Sequence, residues 1–217
     1  MKKSVVYWSP CLDKVGTVKS TLNSAISLAK YSNDYDVTII NVFGEWSSYY
    51  KYLEQNNVKL KNLTFDYYNL LPKKGFLKSR LSYIIIFLIS LIPLLLLIKK
   101  KKPDYLIIHL ITSLPLFLLN FFRLKTQVIL RISGYPKMNL LRKKLWIKSQ
   151  NKIFKITCPT EQLKNDLITK NIFKGEKVET LFDAIINIKD LIQKKNKIDF
   201  KESGKIQKNF FLSAGRF

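Results

Sequence analysis

The chain has two apolar runs that carry side chains able to act on a polar ligand. Residues 105–110 include the single histidine, His109, and residues 127–132 include Arg131. An unpaired buried guanidinium is costly, so Arg131 is expected to pair with a carboxylate such as Glu45, or with the phosphate or sugar of a ligand. A lone histidine in an apolar run is also typical of a buried, hydrogen-bonded core residue, and that alternative stays open for His109.

The two runs are predicted to be neighbouring strands, joined by a helix that Ser113 can cap. Such a unit gives two parallel strands with a crossover helix. Ligands of these sheets bind beyond the carboxyl ends of the strands. We therefore expect His109, Arg131, Ser133 and Gly134 to lie at one edge of the sheet, in a cleft.

Two further positions follow predicted strands and could face the same cleft. Gly16 lies between a strand at residues 4–9 and a helix that begins at Thr17, where a glycine lets a phosphate approach the N–H groups of the helix end. Glu45 follows a strand at residues 36–43. A simple loop glycine and a solvated loop carboxylate are the alternatives for these two positions.

Strands and helices alternate along the rest of the chain, with strands predicted at 58–65, 155–158, 177–182 and 209–214. The alternation predicts an α/β fold, with a Rossmann-like, doubly wound and mainly parallel sheet. We divide the chain into a domain at residues 1–188, a polar linker at 189–208 and the first strand of a second domain at 209–217. A buried strand needs neighbours on both sides, so the sequence looks cut there.

The composition limits the kinds of partner. Of the 217 residues, 47% are hydrophobic, and 38 lysines and arginines face 15 acidic residues, for a formal net charge of +23. Such a charge suggests an anionic partner, which is nucleic acid, an anionic lipid surface or a phosphorylated substrate. The sequence contains no recognised nucleic-acid-binding module, so no nucleic acid is expected. Cys11 and Cys158 lack metal-ligand spacing, so we expect no metal, and free thiols in the cytoplasm.

Residues 81–98 are eighteen uncharged residues with basic residues at both ends. A helix of that length is about 27 Å long, close to the roughly 30 Å of a bilayer core. One crossing would separate strands that should share a sheet. We prefer a crossover helix that packs on the sheet and attaches peripherally, as a monotopic element, to the inner face of the cell membrane. The alternative is a small membrane protein with a two-helix hairpin, at 81–98 and 105–122, and basic cytoplasmic ends.

The order of these pieces resembles the retaining GT-B glycosyltransferases of family 4. SPCLDKVGTVKSTLNSAISLAKYSNDYDVTIINV looks like that family's opening strand, glycine loop, helix and second strand. KKKKPDYLIIHLITSLPLF and VILRISGYPKMNLLRKKLW resemble two inner strands, the second with its glycine turn and basic helix. FKITCPTEQLKNDL resembles a later strand–helix segment, and KNFFLSAGRF resembles the strand that begins the donor-binding domain.

The resemblance implies an enzyme that transfers a sugar from a nucleotide-sugar to an acceptor, with retention at the anomeric carbon. It implies no cofactor, and an N-terminal domain that mainly binds the acceptor, here a membrane-associated one, either lipid-linked or a cell-surface polysaccharide precursor. By position, His109 matches the catalytic histidine that faces the sugar. Gly16 and Arg216 match residues that bind the donor diphosphate.

The sequence departs from the family pattern in two places. The glycine loop has Val15-Gly16 where the family has two glycines. The acidic motif of the donor site would lie beyond Phe217, so the resemblance implies that this chain is an inactive N-terminal fragment of the enzyme.

Overall fold

The computed structural model describes residues 2–13, 16–72, 75–135, 138–183, 188 and 192–193. The chain divides into two units, Met1–Ile185 and Ile186–Phe217. The first unit holds a seven-stranded sheet. Of the second unit, only residues 188, 192 and 193 are described, and they are helical. The predicted linker at 189–208, apart from 192–193, and the predicted strand at 209–217 lie outside the described residues.

Every neighbouring pair of strands in the sheet is parallel. The strands are β1 (Lys3–Trp8), β2 (Tyr35–Asn41), β3 (Lys59–Asn62), β4 (Tyr105–Ile108), β5 (Gln127–Arg131), β6 (Lys155–Cys158) and β7 (Val178–Thr180). Their spatial order is β3-β2-β1-β4-β5-β6-β7. The order reverses between β1 and β4, and a crevice at the carboxyl ends of the strands is expected at such a switch point.

Helices cover both faces of the sheet. They are α1 (Gly16–Tyr31), α2 (Tyr50–Gln55), α3 (Phe76–Lys101), α4 (Ser113–Phe121), α5 (Leu140–Ser149) and α6 (Glu161–Thr169), with short 3-10 turns at Ser47–Tyr49, Tyr68–Leu70 and Gly175–Lys177. Side chains alternate along β1, so that Val5 and Tyr7 join one apolar core while Val6 and Trp8 join the other. This arrangement confirms the predicted Rossmann-like, doubly wound α/β fold.

Helix α3 has an unusual distribution of side chains. Its buried row includes two serines and runs at four-residue spacing through Ser82, Ile86, Ser90, Leu94 and Ile98. The opposite row is apolar and between 47% and 66% exposed, and it consists of Ile84, Leu88, Ile92 and Leu96. A helix in a water-exposed position normally has the reverse pattern, with polar residues on its exposed side.

Among the described helices, α3 is the one that is long and apolar enough to cross a membrane. It connects β3 to β4, which belong to the same sheet. The hairpin alternative is wrong, because Tyr105–Ile108 pairs with β1 on one side and with β5 on the other. A central strand that pairs on both sides within a sheet cannot also be the start of a second membrane-spanning helix.

Candidate functional site

A cleft of about 760 Å³ opens at the carboxyl ends of β1, β4 and β5. Its inner part is lined by His109, Arg131, Ser133 and Gly134, together with the loop after β1. The structure therefore brings together the four residues that the strand–helix–strand pattern placed at this edge. The parallel pairing of β4 with β5 is the reason, because the two strands end at the same level.

His109 is almost fully buried, with 4% of its surface exposed. Its backbone N–H donates to the carbonyl of Trp8, at 2.9 Å, which extends the pairing of β4 with β1 by one residue. Its Nδ1 lies 2.8 Å from Thr21 Oγ1 on α1, and its Nε2 contacts the hydroxyl of Ser133. The ring is therefore held from both sides.

The hydroxyl contacts and the burial of the ring together determine how His109 can act. Thr21 Oγ1, which has a single proton, can donate to the carbonyl of Thr17 at 3.0 Å, and it also lies 3.1 Å from Ser9 Oγ. In the tautomer that agrees with this donation, Nδ1 of His109 donates to Thr21 and Nε2 accepts from Ser133; in the other tautomer, Thr21 donates to Nδ1 and Nε2 donates to Ser133. Burial, together with the charge of Arg131, lowers the pKa of His109 to about 4. The ring is thus neutral near pH 7, and its contact with Ser133 orients that hydroxyl.

Arg131 is 7% exposed and forms an ion pair with Asp183, which follows β7. Its Nη2 also donates to the carbonyls of Leu181 and Phe182, at 3.3 and 3.4 Å. Ser20 on α1 donates to the same carboxylate at 2.8 Å. Burial alone would raise the pKa of Asp183, but hydrogen bonds from Arg131 and Ser20 lower it. The expected carboxylate partner is therefore present, and it is Asp183 instead of Glu45.

Glu45 folds back on its own loop. Its carboxylate accepts from the backbone N–H groups of Val42, at 3.1 Å, and Phe43, at 2.8 Å, and only 3% of the residue is exposed. Burial raises its pKa to about 7, against the opposing effect of those hydrogen bonds. Glu45 is not among the described residues that line the cleft, which corrects the expectation that it faces a ligand there.

Gly16 is the first residue of α1 and is exposed. A Cβ atom at this position would meet nothing within 4 Å. Gly16 does not line the cleft among the described residues, although Thr21 of the same helix contacts His109. The other predicted diphosphate ligand, Arg216, lies outside the described residues.

The turn that follows His109 has a strained backbone. Ile111 has a φ of +47°, a value that β-branched residues rarely adopt. Its carbonyl accepts from Trp8 Nε1 at 3.1 Å, and the residue lines the cleft. Strain of this kind persists only where surrounding contacts impose it, and it concentrates at functional sites.

Sequence reasoning missed four residues of the site. Thr21 and Asp183 hold the predicted residues, and Arg80 and Arg142 line the outer end of the cleft. No short motif marks any of them, because each comes from a distant part of the chain. Within the described part of the chain, no three His, Cys, Asp or Glu side chains cluster as a metal site would require.

The cleft can be compared with those of known proteins only through the fold. No family model and no curated protein matches this sequence. Among solved structures, UGT73P12 of Glycyrrhiza uralensis, in complex with glycyrrhetinic acid 3-O-monoglucuronide, is similar with a TM-score of 0.59 at 10% identity. That match covers 84% of this chain and 48% of the other. The described sheet domain has a GT-B-type, Rossmann-like fold.

Two epimerase structures share this GT-B-type architecture. A Listeria monocytogenes protein assigned as a UDP-N-acetylglucosamine 2-epimerase is similar with a TM-score of 0.56 at 14% identity, over 82% of this chain and 44% of that one. UDP-N-acetylglucosamine 2-epimerase from Rickettsia bellii is similar with a TM-score of 0.52 at 10% identity, and the match covers 95% of this chain and 52% of that one. This chain spans about half the length of the structures that it matches.

Proposed function

We propose that this chain is the acceptor-binding part of a retaining glycosyltransferase, which transfers a sugar from a nucleotide-sugar to a membrane-associated acceptor. The observation that carries the proposal is the cleft at the switch point of a GT-B-type sheet, with His109, Arg131, Ser133 and Gly134 at its inner end. The order of sequence motifs adds independent support. The acceptor is a lipid-linked sugar or another precursor of a cell-surface polysaccharide.

The inner cleft is suited to holding hydroxyl groups. Ser133 and the backbone at Gly134 offer hydrogen-bonding atoms to a sugar, while His109 fixes the hydroxyl of Ser133. The charge of Arg131 is matched by Asp183, so Arg131 shapes the cleft and polarises it without leaving a bare cation.

Retention is compatible with the state of His109. An inverting enzyme needs a base to take the proton of the acceptor hydroxyl, and both ring nitrogens of His109 are occupied by contacts with the hydroxyls of Thr21 and Ser133. In a retaining reaction a phosphate oxygen of the departing donor can take that proton. The donor diphosphate is expected near the amino end of α1 at Gly16, where N–H groups and open space are available. Arg216 is proposed as its second ligand, and no metal or other cofactor is invoked.

Peripheral attachment to an anionic membrane explains the exposed row of α3. Helix α3 has 26 residues and is about 39 Å long. Both ends of α3 carry basic residues, and the net charge of the chain is +23. Since α3 connects two strands of one sheet, it fits a position along the membrane surface rather than across it. We propose that this surface is the inner face of the cell membrane.

The proposal can be tested on protein purified from its own cells in mild detergent. The protein is incubated with labelled UDP-, GDP- and TDP-sugars and a total lipid extract, and the extract is analysed for labelled product. We expect one nucleotide-sugar to label a lipid or glycan, and we expect NMR to show the anomeric configuration of the donor in the product. Epimerisation of a nucleotide-sugar at C2 without transfer would instead favour the activity named for two of the structural neighbours.

A further inference from the structure

Helix α5 exposes two neighbouring leucines in its first turn. Leu140 and Leu141 are the first two residues of the helix, and they are 78% and 80% exposed, more than any residue of the exposed row of α3. Asn139 caps the helix, because its side chain accepts from the backbone N–H of Arg142 at 2.8 Å. The cap holds this turn in helical geometry, so the leucines are exposed by a well-formed helix and not by a frayed end.

The start of α5 lies beside the start of α3. Each of these helices follows a strand of the parallel sheet, so both begin at its carboxyl edge, and Ile86 of α3 and Trp146 of α5 belong to the same apolar core. Leu141 lines the cleft together with Tyr83 and Ile84 of α3. Ile84 is also the first residue of the exposed row of α3. Exposed apolar side chains of both helices therefore border the same mouth of the cleft.

The charged residues around this mouth are basic. Lys143 and Lys144 follow the leucines on α5, and Lys78 lies at the start of α3; all three are exposed. Between Asp66 and Glu161, a stretch that contains α3, α4 and α5, the sequence has one acidic residue, Asp104. A surface of leucines and lysines without carboxylates is complementary to an anionic bilayer, since the headgroups attract the lysines and the acyl chains accept the leucines. A second copy of the chain would instead bring lysines against lysines.

We propose that an anionic bilayer holds the start of α5 as well as α3, with Leu140 and Leu141 inserted below the headgroups. The mouth of the cleft then opens at the membrane surface. The polar end of a lipid-linked acceptor can enter the cleft toward Ser133 while its hydrocarbon part stays in the bilayer. This inference rests on the function proposed above, since it names the membrane as the side from which the cleft receives its acceptor.

A fluorophore placed on α5 in the full chain tests the inference without requiring catalysis. Leu140→Cys is labelled with nitrobenzoxadiazole, whose emission depends on its surroundings, and the buried Cys11 and Cys158 should not react. On adding vesicles of phosphatidylcholine and phosphatidylserine in equal parts, we expect a blue shift of the emission, and quenching by lipids with a nitroxide on the acyl chain. Tyr31→Cys is the matched control, because Tyr31 is 79% exposed but ends α1, which packs on the other core. Its label should show neither change.

Two substitutions measure how much the leucine contributes to binding. Leu140→Gln should lower the partition coefficient for the same vesicles about tenfold, because an apolar side chain no longer leaves water on binding. Tyr31→Gln should change it less than about twofold, because that side chain stays in water. Both positions are exposed, and urea unfolding checks that both variants fold as the unchanged chain does.

Three results would overturn the inference. If the label of Leu140→Cys stays in water while that of Leu88→Cys enters the bilayer, attachment through α3 stands and only the contact of α5 is rejected. An equal response to vesicles of phosphatidylcholine alone would remove the charge match that selects the bilayer. A dimer in sedimentation velocity that Leu140→Gln dissociates would make this surface an interface between copies. The proposed function is judged separately by the transfer assay in detergent, which does not depend on contact with a bilayer.

Discussion

At the scale of single residues, two buried titratable side chains have opposite effects on the pH dependence of folding. His109 has a folded-state pKa of about 4, below its usual 6.5, and Glu45 has one of about 7, above its usual 4.5. The group with the lowered pKa makes the fold less stable in acid. The group with the raised pKa makes the fold less stable as the pH rises.

In a Glu45→Gln variant, position 45 no longer titrates, so the effect of His109 on the pH dependence of folding should become visible. Below pH 6.5 the unfolded chain protonates its histidine while folded His109 stays neutral, so the free energy of unfolding should fall as the pH drops from about 6.5 to 4. The difference between the usual pKa of 6.5 and the folded-state pKa of about 4 corresponds to about 3 kcal/mol in the free energy of unfolding. Urea unfolding of Glu45→Gln between pH 4 and 7.5 measures it, and a flat profile would contradict the buried, neutral state of His109.

In a His109→Gln variant, position 109 no longer titrates, so the effect of Glu45 on the pH dependence of folding should become visible. Above pH 4.5 the unfolded chain loses the proton that folded Glu45 retains, so the free energy of unfolding should fall as the pH rises from about 4.5 to 7. Urea unfolding of His109→Gln between pH 4 and 7.5 measures this decrease. Stability that increases with pH in this variant would show that Glu45 is ionised in the fold.

The positions of the site residues could be predicted from sequence, but their partners could not. His109 and Arg131 lie near the ends of short apolar runs, and a local pattern is enough to place them near strand ends. Their partners Thr21 and Asp183 are 88 and 52 residues away, and only the strand order brings them close. Glu45 was misplaced because its bonds to nearby N–H groups depend on the loop conformation, which the sequence pattern does not specify.

At the scale of secondary-structure elements, we predict different tasks for the two rows of α3: membrane binding for the exposed row and folding for the buried row. Leu88→Gln with Ile92→Gln changes two exposed residues, so the free energy of unfolding should change by less than about 1 kcal/mol. Binding to anionic vesicles should fall at least about tenfold, because each apolar side chain contributes about 1.5–3 kcal/mol when it leaves water. Flotation with liposomes and urea unfolding measure the two quantities.

The buried row provides the control. Leu94→Ala removes a side chain that has no exposed surface, and should lower the free energy of unfolding by about 2–5 kcal/mol. The folded fraction should still bind vesicles. If the exposed-row variant loses stability while the Leu94 variant loses membrane binding, the assignment of the two rows is wrong.

Apolar runs predicted the existence and type of α3 but not its length. The uncharged run covers residues 81–98, whereas the helix is Phe76–Lys101. The additional turns at the two ends contain Lys78, Arg80 and three lysines. These residue types have high helix propensity, but they are charged, so a search for apolar runs does not include them. The edge strand β3 is shorter than predicted, at Lys59–Asn62, because an edge position has one neighbour to extend the pairing.

At the scale of the whole molecule, the net charge of +23 should make membrane association sensitive to salt. Each basic residue near an anionic surface contributes about 1 kcal/mol, and screening shortens the range of that attraction from about 10 Å at 0.1 M salt to about 3 Å at 1 M. Flotation with phosphatidylserine-containing vesicles should decline steeply over this range. Equal binding to neutral vesicles would remove the electrostatic part of the attachment.

The most direct measurement of the central claim is the rate of sugar transfer by variants of the protein purified from its own cells. His109→Ala frees the hydroxyl of Ser133, and should lower kcat/KM about a hundredfold, the usual cost of a misplaced contact. Gly16→Val should raise KM for the nucleotide-sugar by filling the space open to the diphosphate. Gly175→Ala, whose new Cβ would make ordinary contact with Ile168 at 3.5 Å, is the control and should transfer normally. Near-normal transfer by both His109→Ala and Gly16→Val would contradict the account.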